Sequence, residues 1–261
     1  MISFVFSVHS EGSMPPGMSN KVKRNVCIIL AVLVLSMAAC TPPGWRLQGA
    51  SPMAEKGSMA LIAGGRHHHL GKTVAVSSFF LDIAPVTVGE YASCVARGAC
   101  TPARGSVQVE CCNFAYGLER ASHPINCVTY EQAVSFCRWR GARLPVASEW
   151  RWAAENRWRR TSYPWGRRPF PPRGTCVPLY VENYSTCPVR QGHSTVDGIL
   201  GMGENVEEWV SLADGLGATM GNPPEPESRA LSERERDLSL SVYSPEYTGI
   251  RTGIRCARDA E

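Results

Sequence analysis

Residues 141–155 read GARLPVASEWRWAAE and place Trp150 and Trp152 two positions apart. On a helix those positions lie about 200° apart, so a single buried stripe cannot take both rings. A helix is expected from about Ala147 to Trp158, with Ser148 or the preceding Pro145-Val146 near its start. Just upstream, TYEQAVSFCRWRG (129–141) predicts a second helix. Thr129 stands three before Gln132, the spacing at which each side chain satisfies the other's backbone N–H. Tyr130, Ala133 or Val134, and Cys137 then share a face, and Gly141 ends the helix.

Outward from these helices the chain turns irregular. SMALIAGG (58–65) and KTVAVSSFFLDIAPVTV (72–88) carry β-branched and aromatic residues broken by Gly and Pro, and read as strands. VGEYASCVARG (88–98) reads as a short helix or turn with Tyr91, Cys94 and Val95 on one face. His67, His68 and His69 resemble a metal cluster, but adjacent residues point in different directions and no further ligand is placed near them. A surface turn is expected there. The prolines of YPWGRRPFPPRGTCVPLY (163–180) forbid helix and central strand alike. PPEPESRALSERERD (223–237) is polar and charged, the composition of a mobile loop. With 261 residues, 44% hydrophobic, 24 glycines and 19 prolines, one turn-rich globular domain is the expected organisation.

The N-terminus points to export. Lys21, Lys23 and Arg24 precede an apolar run from Val26 to Leu35 and small residues before Cys40. That run is short of the roughly 20 residues a membrane-crossing helix needs. LSMAAC (35–40) resembles a bacterial lipobox, in which Cys40 is lipidated after cleavage before it. Residues 1–39 are then leader and signal peptide, with Met18 a candidate start, and 40–57 a tether rich in Pro, Gly and Ser. Thr41, rather than Asp, after the lipidated cysteine favours the outer membrane of a bacterial envelope. Without the leader, 24 basic groups face 22 acidic ones, which gives no electrostatic case for nucleic acid. The arginines and aromatics of RWRRTSYPWGRR (157–168) read as a solvated or anion-facing surface.

Nine cysteines follow Cys40, and in an exported chain they read as disulfides first. Proximity favours Cys94 with Cys100, Cys176 with Cys187, and Cys127 with Cys111 or Cys112.

HPINCVTYEQAVSFCRWRGARLPVASEW (123–150), YPWG (163–166), DGILGMGENVEEWV (197–210) and TGIRCAR (252–258), with MALIAGG and FFLDIAPVTVGEY upstream, together resemble the formylglycine-generating enzyme or sulfatase-modifying factor family. The resemblance covers nearly all of 58–258. It implies one α+β domain with much irregular backbone, related to the C-type lectin fold. In such a domain the helix bearing Glu149-Trp150 packs on more than one side, so Trp150 can fill the core while Trp152 covers a second face. Trp165 and Trp209 become further packing rings.

The same resemblance marks departures. Family enzymes oxidise a substrate cysteine to formylglycine with O2 and a copper(I) ion on two thiolates that follow an RGGS motif. Here residues 210–255 contain no cysteine, and GATMGN (217–222) stands roughly where RGGS belongs. Catalysis would have to use relocated ligands such as Cys137 and Cys256, for which a disulfide is the simpler fate. In the family pattern GLYDMAGNVWEWV a turn binds calcium. Glu208 and the carbonyls of Glu204 and Val206 could keep their roles, while Gly201 removes a side-chain ligand for which Glu204 could substitute. Val146 replaces a threonine N-cap worth about 1 kcal/mol. The expectation is a membrane-anchored, non-catalytic lipoprotein that binds a protein or glycan. The alternative is a formylglycine-generating oxidase.

Overall fold

In the computed structural model, which describes residues 58–69, 72–103, 112–167, 186–212, 214–221 and 240–260, strand β4 (Phe79–Asp82) joins the two ends of the domain. It pairs antiparallel with β1 (Met59–Ile62) on one side and β9 (Ala257–Asp259) on the other. Between β1 and β4 in the chain, β2 (Gly65–His69) and β3 (Lys72–Val76) form a separate hairpin. A four-stranded sheet has the order β7-β6-β5-β8, from β5 (Glu207–Ser211), β6 (Gly217–Met220), β7 (Leu240–Val242) and β8 (Thr252–Gly253). Its β5–β8 pair is parallel and the others antiparallel. The leader, Cys40, the tether and the 223–237 loop lie outside the described residues, as do Cys111 and Cys176.

Among the described residues, three α-helices complete the α+β architecture. Helix α1 (Val88–Ala96) buries Val88, Tyr91 and Cys94, and starts on a capping box between Thr87 and Glu90 that sequence reading overlooked. Helix α2 (Tyr130–Trp139) has the expected Thr129–Gln132 box, with Gly141 just beyond it at φ 71°, where a side chain would be strained. Helix α3 (Ala147–Ala154) is shorter than expected. Asn156 and Arg157 take left-handed φ of 56° and 59°, so the helix stops and residues 157–159 form a separate 3-10 turn. Val146 provides no side-chain cap; only the Glu149 carboxylate reaches back, accepting the Val146 N–H at 2.9 Å.

The two tryptophans of α3 are both buried and face different neighbours. Trp150 donates its indole N–H to Glu208 at 2.6 Å and lies against Gly221, where an added Cβ would fall 2.9 Å from the ring. Trp152 donates to the Ala63 carbonyl at 2.9 Å and covers the β2–β3 hairpin at Gly65, where a Cβ would fall 2.7 Å from the ring. Strand β5 separates two apolar clusters. Val210 faces the one holding Trp150 and Trp152, and Trp209 faces the one holding Tyr91, Phe136 and Ile254. Trp209 is fully buried, whereas Trp165 is half-buried and stacked on Tyr163.

The histidine run is a strand, not a surface turn. His67 sits in β2 with 2% exposure, 2.9 Å from Glu155 and edge-on to Trp152. The alternation of β2 turns it inward, where the acid and the indole give it a polar and an apolar contact.

Candidate functional site

The expected cysteine pair is closed. Cys137 on α2 and Cys256 before β9 form a disulfide with S–S 2.02 Å, and neither side chain is exposed. Cys94–Cys100 and Cys112–Cys127 are bonded as well, which selects Cys112 over Cys111. Cys187 is disulfide-bonded, and Cys176, its expected partner, lies outside the described residues. A bonded pair offers no thiolate to copper(I), so Cys137 and Cys256 do not fit that ion as they stand.

Calcium fares no better on the donors present. Both oxygens of Glu208 are engaged: Arg255 donates from Nη2 to Oε1 at 2.7 Å and from Nε to Oε2 at 2.8 Å, and Trp150 adds its N–H to Oε2. Arg255 completes its donor set on the carbonyls of Asp82 at 2.7 Å and Leu200 at 2.8 Å. Glu208 and Arg255 are both fully buried, so a dication beside Glu208 would face a fixed guanidinium with little solvent screening. The Glu204 carbonyl accepts the Val206 N–H at 2.6 Å inside the turn. Among the described residues no cluster of three or more His, Cys, Asp or Glu is arranged for a metal.

Glu204 itself turns into the space beside Gly201, the position that lacks a side-chain ligand. A Cβ on the neighbouring Gly192 would fall 2.7 Å from the Gly201 backbone and 3.5 Å from Glu204 Oε2. The carboxyl receives only the His193 backbone N–H, at 3.3 and 3.4 Å, with His193 Nδ1 at 3.4 Å. Burial, weakly offset by that N–H, pushes its pKa up to about 8.

On the opposite face of β5 from Glu208 lies a polar group that sequence reading missed. Glu207 accepts a hydrogen bond from Thr219 of β6 at 2.9 Å, and burial raises its pKa against the lowering effects of Thr219 and Arg251. Tyr247 stacks on Tyr243 with ring centres 3.8 Å apart and lies edge-on to Trp209. Burial first, and then Tyr243 and Glu207, push the Tyr247 phenol up to about 12. The signal was present: in the family pattern a tryptophan stands where this chain has Glu207, an acid in place of an apolar ring at the start of β5.

A family model described as "Sulfatase-modifying factor enzyme 1-like domain" matches residues 40–260. The chain belongs to this family of α+β domains. It is 27% identical over 174 residues to a formylglycine-generating enzyme of Thermomonospora curvata, covering 54% of this chain and 57% of that protein. It is 25% identical over 171 residues to the enzyme of Mus musculus, covering 54% and 46%. The chain thus spans about half the length of the curated relatives it matches. Among solved structures, CarF aligns with a TM-score of 0.60 at 17% identity, covering 78% of this chain and 98% of that one. PvdO from Pseudomonas aeruginosa aligns at 0.56 and 20%, covering 77% and 94%. These two similarities establish the shared fold.

Proposed function

We propose that the chain is a cell-envelope lipoprotein, exported by residues 18–39 and anchored through Cys40, whose domain binds a protein or glycan and does not itself make formylglycine. The closure of Cys137 with Cys256 carries this reading. With no other cysteine between Cys187 and Cys256, the chain has no second pair from which a copper(I) site could be drawn on the C-terminal segment. The family also contains a relative named "Inactive C-alpha-formylglycine-generating enzyme 2", from Mus musculus, 40% identical over 57 residues that make up 22% of this chain and 18% of that protein. The test offers a CxPxR peptide to the copper(I)-loaded full chain, with an authentic formylglycine-generating enzyme alongside as positive control. No aldehyde is expected. Turnover that disappears in Cys137→Ser or Cys256→Ser would instead establish the oxidase reading, which identity to formylglycine-generating enzymes favours.

A further inference from the structure

Between Asn156 and Arg160 the backbone is left-handed at three non-glycine residues, with φ of 56° at Asn156, 59° at Arg157 and 47° at Arg160. Such a conformation persists only where its surroundings fix it. Here Asn156, 2% exposed, supplies the fixing: its Nδ2 donates to Thr161 Oγ1 at 2.6 Å and to the Pro164 carbonyl at 3.0 Å, and its Oδ1 accepts the Val196 N–H at 2.7 Å. The outcome of this bracing is a tryptophan held outward. Trp158 is 62% exposed, and among the described tryptophans it is the exposed one. The Arg157 guanidinium lies 4.0 Å over its ring and is ion-paired with Asp197 at 2.8 Å. One face of the indole is therefore backed by a cation that is itself anchored, which sets the plane of the ring. Arg159 and Arg160 are exposed beside it.

We propose that this turn is the docking platform for an acidic polysaccharide, with Trp158 stacking on a sugar ring and Arg159 and Arg160 pairing with its carboxylate or sulfate groups. The proposal rests on the binding reading above and names the class of ligand. A braced flat aromatic face matches the C–H face of a pyranose, and guanidinium forks match carboxylate and sulfate geometry. Arg157 is matched by Asp197, so the remaining cations are available to an anion at the ring's edge. A three-residue 3-10 turn presents neither a strand edge nor a helical groove, the features on which extended or helical peptides dock. Because the platform is rigid before binding, little ordering is needed when a ligand arrives.

The experiment titrates the full chain, solubilised in detergent, with oligogalacturonate as carboxylate probe, dextran sulfate as sulfate probe and dextran as neutral control, reading tryptophan fluorescence and heat. Binding to at least one acidic probe and not to dextran is expected. Trp158→Ala should weaken it tenfold or more, Trp158→Phe less, and Arg159→Gln with Arg160→Gln several-fold with a flatter salt dependence. Trp158 is exposed, so an unchanged melting temperature will separate lost binding from lost fold. Affinity indifferent to Trp158→Ala, binding to neither acidic probe, or a Trp158-dependent preference for anionic lipid vesicles over both would overturn the platform. A pull-down from envelope material judges the binding reading separately. A ligand captured equally by wild type and Trp158→Ala would leave that reading standing while removing the platform from it.

Discussion

Glu204 and Glu208 sit four residues apart, one in the turn before β5 and one within it, and neither has exposed surface. Glu208 meets a guanidinium through two hydrogen bonds and an indole N–H through a third. Glu204 meets one backbone N–H at long range, and its pKa is pushed up to about 8. Equal burial therefore goes with three close donors on one carboxyl and a single long backbone N–H on the other, and it is the second whose pKa burial pushes up. The state of a buried carboxyl follows from the charge and number of its donors rather than from depth.

The largest effect should come from breaking the paired side. Arg255→Met leaves Glu208 buried with only the Trp150 donor and is expected to cost about 3–5 kcal/mol in urea unfolding at neutral pH. Adding Glu208→Gln should recover much of that loss, since a neutral amide needs no counter-charge and its oxygen can still accept the Trp150 N–H. A single variant as stable as wild type would mean that the contrast between the two glutamates is energetically empty.

The next effect sharpens the other side. A carboxyl whose folded pKa lies above its unfolded value takes stability away as pH rises from one to the other, because the native state binds the extra proton. For Glu204 the window runs from the ordinary glutamate value of 4.5 to about 8. Glu204→Gln should match wild type near the bottom of that window and exceed it by up to about 4 kcal/mol at the top. Stability curves of the two proteins that stay parallel across the window would show that Glu204 ionises without cost.

The smallest effect serves as a control that touches neither glutamate. Val146→Thr restores an oxygen at the start of α3 and should add about 1 kcal/mol. It should combine additively with Glu204→Gln, since the two residues share no hydrogen-bond partner. A clear departure from additivity would show that the turn and the helix are coupled.

Local signals in the sequence were read well where a few neighbouring residues decide the outcome. Thr129, Gln132 and Gly141 define α2 within one stretch, and Cys94–Cys100 and Cys112–Cys127 close over 6 and 15 residues. The two rings of α3 also have their separate partners, though which ones could not be read locally: Glu208 is 58 residues from Trp150, and Ala63 is 89 from Trp152. The early end of α3 was legible in principle, since asparagine tolerates the left-handed region better than most residues. A helical run of Arg and Trp masked it. His67 was misread because its partner Glu155 is 88 positions away and nothing in HHH distinguishes a strand that turns inward from an exposed turn. At the candidate site, the family pattern pointed to the turn before β5. The pairing of Glu208 with Arg255, 47 residues later, determined what that turn could still bind.

The Cys137–Cys256 bridge also has a mechanical consequence. Tension applied between Ser58 and the C-terminal end runs through β1 and β4 to Cys137, crosses the two sulfurs, and continues directly into β9. The 119-residue separation between the cysteines, with the whole of β5–β8, is thereby removed from the load path. Reduction returns that hidden length to the chain, at up to about 3.3–3.6 Å per residue. Single-molecule stretching with and without reductant would read it as added contour length, over and above the 6- and 15-residue separations that opening Cys94–Cys100 and Cys112–Cys127 releases.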